Sequence, residues 1–373
     1  MPPKPTDPLW RPEGPPPRSP SKILYRDGLL FMNGPILGWD VGGANVKAAR
    51  IAEGGRSEPA VLERPFALWR EPHRLPAVLA EAADRLGGAR TMAVTMTAEL
   101  ADCFGTKREG VVFVLDAFRT AFPDVRPWVY GVDGRFRSAE AARRRPHRVA
   151  AANWMASATL VARTFPDALF LDVGSTTTDV IPIVAGRVAA RGRSDPARLR
   201  TGELVYTGAL RTPVCAIVRS VPLRGRRCRV AAEHFAVVAD VHLWLERIEE
   251  SDYTCETPDG RGRGRPEAGG RLARMVCADL EMLGPDDITA IAEHVARAQL
   301  RQITGGVRQV MRRLGSASPR VAVLAGQGSF LARAAAETLG LATHDMAEGL
   351  GSAAARAAPA VAVAYLLAGA AEA

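Results

Sequence analysis

The chain has 373 residues, 47% apolar and 24% charged, with 49 Lys and Arg against 40 Asp and Glu for a net charge of +9. That length exceeds one ordinary hydrophobic core and suits two domains, and the composition is that expected of a soluble globular protein. The cations are mostly scattered arginines, read as solvated surface first and as a bias toward anionic substrates second.

In chain order, the first 20 residues hold nine prolines and no apolar core of a signal peptide, so residues 1–34 are predicted to be a Pro-rich extension. Residues 35–49 give a short apolar strand, a Gly turn and a second strand. Apolar residues at helical spacing follow over 75–86, then a strand over 91–96, a helix over 110–122 and a strand over 128–132. Residues 140–164 read as helical, with Pro146 near the start of the continuous part. Residues 168–184 repeat the strand–turn–strand pattern roughly 130 residues after the first, which predicts an internal duplication. A loop-rich stretch (198–214), a helix (233–248) and an exposed loop or mobile flap (252–270) come next. Helices are predicted over 271–282, 286–314 and 331–339, a strand over 321–329, and a helix after Gly351.

Other function classes are disfavoured by what is missing. The five cysteines, Cys103, Cys215, Cys228, Cys255 and Cys277, form no CxxC pair, which argues against a zinc ribbon or iron–sulfur cluster and for a reducing cytoplasm. No apolar run reaches the ~18 residues of a membrane helix; the Ala-rich stretch after Gly351 is broken by Arg356 and Pro359. The basic segments 135–148 and 224–229 lack the interleaved aromatics of a nucleic-acid platform. His234, Asp240 and His242 invite a metal reading, but Asp240 and His242 are two residues apart, a spacing that does not share a helix face, so the histidines read as core or surface residues rather than metal ligands.

Three turns carry the chemistry. The first is Asp40-Val-Gly42-Gly43-Ala-Asn45-Val-Lys47, where glycines let backbone N–H groups approach an oxyanion and Lys47 can reach a terminal phosphate. Asp40 is placed to hold a hydrated Mg²⁺. The second is Asp172-Val-Gly174-Ser175-Thr176-Thr177-Thr178-Asp179, which adds four consecutive hydroxyls suited to a phosphoryl group. The third is Ala325-Gly326-Gln327-Gly328-Ser329 after an apolar strand, against which a phosphorylated or flat ligand can lie. Each alone is weak; the three in this order are specific.

Their order and content resemble the actin, hexokinase and heat-shock-protein ATPase superfamily. The resemblance implies a two-lobed α/β fold of the duplicated ribonuclease H-like type, with a five-stranded mixed sheet in each lobe and a central cleft. On that plan residues 35–165 form the first lobe, 166–350 the second with an inserted loop at about 252–270, and 351–373 a C-terminal connecting helix. Residues 153–158 and 352–363 are the expected connecting helices.

A closer resemblance rests on Gly38-Trp39-Asp40 and the residues to Asn45, on Met96-Thr97-Ala98-Glu99-Leu100-Ala-Asp102, and on Lys107-Arg-Glu109-Gly110-Val111. It continues through Leu171 to Asp179, Thr201-Gly202-Glu203-Leu204-Val-Tyr206-Thr207-Gly208, Arg211-Thr212-Pro213-Val214 and the segment 271–279. These residues are similar to the hydantoinase/oxoprolinase-related proteins of tetrahydromethanopterin-linked one-carbon metabolism. The resemblance implies a transferase that joins an aminomethylfuran-methyl diphosphate to the phenol of a tyramine or tyrosine derivative, releasing diphosphate, in methanofuran or methylofuran synthesis. It further implies Mg²⁺ near Asp40 and Asp172, with the diphosphate held by Gly42, Gly43, Asn45, Lys47, Gly174, Ser175, Thr176, Thr177, Thr178, Gly326 and Gly328. Glu99, Asp179 or Glu203 is the expected phenol base, with Asp172 among the catalytic acids, and Arg211 holds a substrate carboxylate. An ATP-dependent kinase or amide-opening enzyme, and a nucleotide-binding scaffold, are the alternatives. The expected partners are small molecules, without nucleic acid or membrane, and a homodimer is allowed.

Overall fold

The computed structural model describes residues 34–53 and 57–370; the expected Pro-rich extension falls almost wholly outside them. Strand β1 (Ile36–Val41) is buried along its whole length, as an apolar run between two other strands must be. It pairs antiparallel with β2 (Asn45–Ile51), which pairs with β3 (Ala60–Pro65). On its other side it runs parallel to β4 (Thr91–Met96), followed by β5 (Trp128–Tyr130) and the edge strand β6 (Phe136–Ser138).

The second sheet repeats this plan. Strand β7 (Ala168–Val173) forms a hairpin with β8 (Thr178–Val184), whose other edge carries the two-residue strands β9 (Arg187–Val188) and β10 (Leu204–Val205). A separate ribbon of β11 (Ser220–Leu223) and β12 (Arg226–Arg229) precedes the return to the sheet. Strand β13 (Val321–Ala325) then pairs parallel with β7, and β14 (Ala342–Asp345) parallel with β13. Numbered within each half, both sheets run third–second–first–fourth–fifth, which is the predicted duplication. The sheets are larger than the expected five strands, because β6 extends the first and β9 adds to the second.

Two helices lie between the sheets, Asn153–Ala162 and Ala358–Ala370, and pack on each other. One apolar cluster runs from Ile36, Ile51 and Ala93 through these helices to Phe170, Ile181 and Val323. The outer face of the first sheet is covered by the helices Leu75–Arg85 and Lys107–Ala121. That of the second is covered by Pro285–Leu314 and Ser329–Thr338. The alanines of Ala358–Ala370 follow from this position, since a Cβ at Gly38 would fall 2.0 Å from the Ala360 carbonyl oxygen. The strand backbone at Gly38 lies directly against the helix backbone and the Ala364 methyl, so only small residues fit at this crossing. Gly38→Val is therefore expected to force the helix off β1 and to lower stability by at least the ~1–3 kcal/mol of overpacking, read as a fall in the midpoint of urea unfolding.

Several boundaries differ from the sequence reading. The helix expected over 140–164 is broken into Ala139–Arg144, a turn at Pro146–Arg148 and Asn153–Ala162. Pro146 removes a backbone donor, Ala150 bridges to Met96 of β4, and Ala151 takes a φ of +49°. The helix expected over 233–248 is confined to Val238–Trp244, where the Asp240 carboxylate accepts the Val237 N–H at 2.9 Å. The helix expected from 271 instead spans Arg265–Arg274, and Cys277 beyond it has a φ of +57°. The flap expected over 252–270 is pinned: Tyr253 is fully buried and donates its hydroxyl to Asp240 at 3.0 Å, and Asp259 pairs with Arg271 and Arg274. No helix among the described residues is long and apolar enough to cross a membrane.

Candidate functional site

Both hairpins close in the same way. The Gly42 N–H donates to the Asn45 carbonyl at 2.9 Å, and the Gly174 N–H to the Thr177 carbonyl at 2.9 Å. In the strand register Asp40 faces Lys47, whereas Asp172 faces Asp179, so the second turn has an acid where the first has a base. The two turns meet across a cleft of about 500 Å³ between the lobes.

Most of the residues expected at the site line that cleft: Asp40, Gly42, Gly43, Asn45, Lys47, Glu99, Asp172, Gly174, Ser175, Thr176, Thr177, Asp179, Arg211 and Gly326. Three expected residues do not. The Thr178 hydroxyl is buried and donates to the Thr207 carbonyl at 2.7 Å, because successive side chains of β8 point to opposite faces. The fully buried carboxylate of Glu203 accepts the Arg191 and Gly192 N–H groups, each at 2.7 Å, and pairs with Arg313 at 2.6 Å. It holds a loop and does not line the cleft. Gly328 gives its N–H to the Val173 carbonyl at 2.8 Å, and a Cβ there would lie 2.5 Å from the Val173 side chain. Its smallness serves packing of the turn on β7.

The segment after Tyr206 buttresses the second turn. Gly174 and Ser175 carbonyls accept the N–H groups of Ala209, Leu210 and Arg211 at 2.8–3.0 Å, and Gly208 lies so close that a Cβ would sit 2.6 Å from the Thr176 nitrogen. Gln299 of the long helix secures this strap through the Gly208 carbonyl at 2.7 Å and the Thr207 hydroxyl at 2.9 Å, and itself holds His242 at 2.9 Å. His242 is thus a core histidine, with burial pressing its pKa down to about 4, and Asp240 is paired with Arg271; neither belongs to a metal site. Arg211 is carried by the strap to lie over the Trp69 ring of the first lobe at 5.2 Å.

Burial dominates the electrostatics of the cleft acids. It pushes Asp40 up to about 6 against the pull of Lys47, and Asp172 up to about 7, with the neighbouring Asp179 adding to the rise. Glu99 is 1% exposed and is pushed up to about 7, opposed by Lys107. Burial raises Asp179 as well, and its partner Arg198 draws it back. Lys47 gives its ammonium to the Arg356 carbonyl at 2.6 Å and lies 3.4 Å from Glu63. Among the described residues no group of three or more His, Cys, Asp or Glu is arranged for a metal. Asp40 and Asp172 nevertheless suit Mg²⁺, which keeps most of its waters and takes one or two carboxylates together with substrate oxygens. The buried Asp40 Oδ1 has no hydrogen-bond partner, as a waiting ligand atom would not.

Sequence reasoning missed Trp69, Tyr206, Asp195 and Arg198 as cleft residues. Trp69 and Tyr206 come from two loops and Asp195 and Arg198 from the short helix Asp195–Thr201, and nothing in their own segments announces that they meet in the cleft. Lys107, though quoted in the family resemblance, had no role assigned; it bonds Asp195 across the cleft at 2.5 Å.

The comparisons agree with this architecture. The acetone carboxylase nucleotide-free structure superposes with a TM-score of 0.51 at 11% identity, over 89% of this chain and 70% of that one, which shows the actin-like fold. A protein of Methanocaldococcus jannaschii named (4-{4-[2-(gamma-L-glutamylamino)ethyl]phenoxymethyl}furan-2-yl)methanamine synthase is 39% identical over 279 residues, 74% of this chain and 82% of that protein. Its namesake from Methanococcus vannielii is 35% identical over 147 residues, 39% of this chain and 66% of that protein. The model of the hydantoinase/oxoprolinase family matches residues 90–369, from the strand that leads to Glu99 to the helix that closes on Gly38. The chain is therefore a member of the hydantoinase/oxoprolinase family.

Proposed function

We propose that this protein forms the aryl ether of a methanofuran-type cofactor by joining the hydroxymethyl carbon of an aminomethylfuran, activated as its diphosphate, to the phenol of a γ-glutamyltyramine-like acceptor. The names of the two methanogen relatives describe such a phenoxymethyl-furan product. The observation that carries the reading is the meeting, in one cleft, of two phosphate-type turns and a buried carboxylate, Glu99, whose pKa is raised to about 7.

The chemistry balances on these groups. The phenol O–H gives its proton to the Glu99 carboxylate, the phenolate oxygen forms a bond to the furan-bearing CH₂, and the bond from that carbon to the diphosphate oxygen breaks with its electron pair leaving on diphosphate. A base that is half-ionised near neutrality suits a phenol. Ser175, Thr176 and Thr177 offer hydroxyls to the leaving oxygens, and Lys47 a positive charge. Asp40 and Asp172 would hold Mg²⁺, which supplies charge neutralisation for the diphosphate. Asp179, already bound by Arg198, orients that arginine rather than taking the proton.

The test offers purified protein Mg²⁺, the aminomethylfuran diphosphate and γ-glutamyltyramine, with ATP in place of the furan diphosphate in a parallel arm. Stoichiometric diphosphate and aryl ether are expected from the first arm. ATP hydrolysis without ether would overturn the reading and favour a nucleotide-dependent enzyme of the same fold.

A further inference from the structure

Glu99 sits in a short helical turn after β4 with neither carboxylate oxygen hydrogen-bonded. The ammonium of Lys107, the first residue of the helix packed against that turn, lies 3.6 Å away. The same ammonium lies 2.5 Å from Asp195 Oδ2, which belongs to the second lobe. Asp195 is in turn 3.9 Å from Arg198, and Arg198 bonds Asp179 at the base of the second phosphate-type turn. Lys107 is thus held closer to the acid of the opposite lobe than to the acid of its own. A full hydrogen bond is made at the shorter distance, while the longer one is a weaker and chiefly Coulombic contact.

We propose that Lys107 is a positioning residue shared between Glu99 and Asp195, and that Asp195, by drawing the ammonium across the cleft, keeps Glu99 a competent base only while the two lobes are together. This rests on the reading of Glu99 as the proton acceptor. In an open cleft Asp195 recedes, Lys107 is free to turn fully to Glu99, and the resulting ion pair holds the carboxylate as a poor base. Proton affinity at Glu99 then rises as the lobes close on substrate. The charged groups that act on Glu99 are Lys107 from its own lobe and Asp195 from the other; Arg198 and Asp179 stand behind Asp195, and Asp102 and Arg211 also line the cleft. The Glu109 carboxylate, on the same helix as Lys107, is occupied by the Gly105 N–H at 2.9 Å.

The test is an infrared titration of the Glu99 carboxyl band in the full-length protein, with the band assigned by its loss in Glu99→Gln. Asp195→Asn removes the competing acid and is expected to lower the midpoint by roughly one pH unit, the size of effect of a cation brought to a carboxyl. Lys107→Met is expected to raise it, and Lys107→Arg to leave it near the wild-type position. In the Lys107→Met background, Asp195→Asn is expected to shift the midpoint far less than it does alone. An unchanged midpoint in Asp195→Asn, or an equal shift with and without Lys107, would overturn the proposal. The titration needs no substrate, so a moving midpoint without ether formation would reject the condensing reading and leave the shared lysine standing.

Discussion

Glu99→Gln is expected to lower kcat/KM for ether formation by ~10²–10⁴, the usual contribution of a positioned general base, while leaving diphosphate affinity within a few-fold of wild type. The amide has nearly the carboxylate's shape, so the cavity is kept and only the proton acceptor is lost. The pH profile supplies a second check. Because burial raises Glu99 to about 7 and the base must be ionised, kcat/KM is expected to rise with pH through about 7 and to level off above it. A decline through that range would mean that Glu99 acts as an acid. The same group affects stability with the opposite trend. Glu99 binds a proton in the folded state up to about pH 7 but only to about 4.5 when unfolded, so folding is favoured below about 4.5 and that contribution is lost as pH rises through 7. Catalytic readiness and fold stability therefore move in opposite directions over the same pH interval.

Arg271→Met is expected to destabilise the protein by ~3–5 kcal/mol, the cost of leaving one member of a buried ion pair alone. Arg271 and Asp240 are both fully buried, joined at 2.7–2.8 Å, and Arg271 also binds Asp259 at 3.1 Å and the Gly262 carbonyl at 3.0 Å. These contacts fasten the loop between Tyr253 and the helix Arg265–Arg274. The variant is expected to show earlier urea unfolding and faster proteolysis within 254–264. Asp240→Asn added to Arg271→Met removes the stranded charge, so the double variant should recover part of the loss. A loss that simply adds would mean that the pair contributes no coupling.

The same network explains why the segment reads as mobile although it is fastened: much of it is exposed, as its composition says, but it is anchored from beneath. Residues 252–270 are polar and rich in Gly and Pro, which locally signals an exposed segment. What holds them is an arginine that comes later in the chain and reads as one more surface cation. Glu203 fails for a similar reason: its pattern matched the family, but its partners, two backbone amides and Arg313, are visible only in three dimensions. The hairpins were legible because every determinant lies within eight residues, from Asp40 to Lys47 and from Asp172 to Asp179. The buried strands around them are apolar runs that have no other place to go. Trp69 and Arg211 illustrate the opposite case. Trp69 is unremarkable in its own segment and Arg211 is marked there only by the resemblance, and their stacking depends on how one lobe meets the other.

The helix Ala358–Ala370 has a consequence for how the protein is made. It packs on β1, β2 and β4, and Gly38 has no side chain so that it can do so. On the ribosome those strands emerge long before the helix that covers them. Until that helix is translated, the inner face of the first sheet lacks most of its cover, and the first half is expected to complete its packing only when the last described segment arrives.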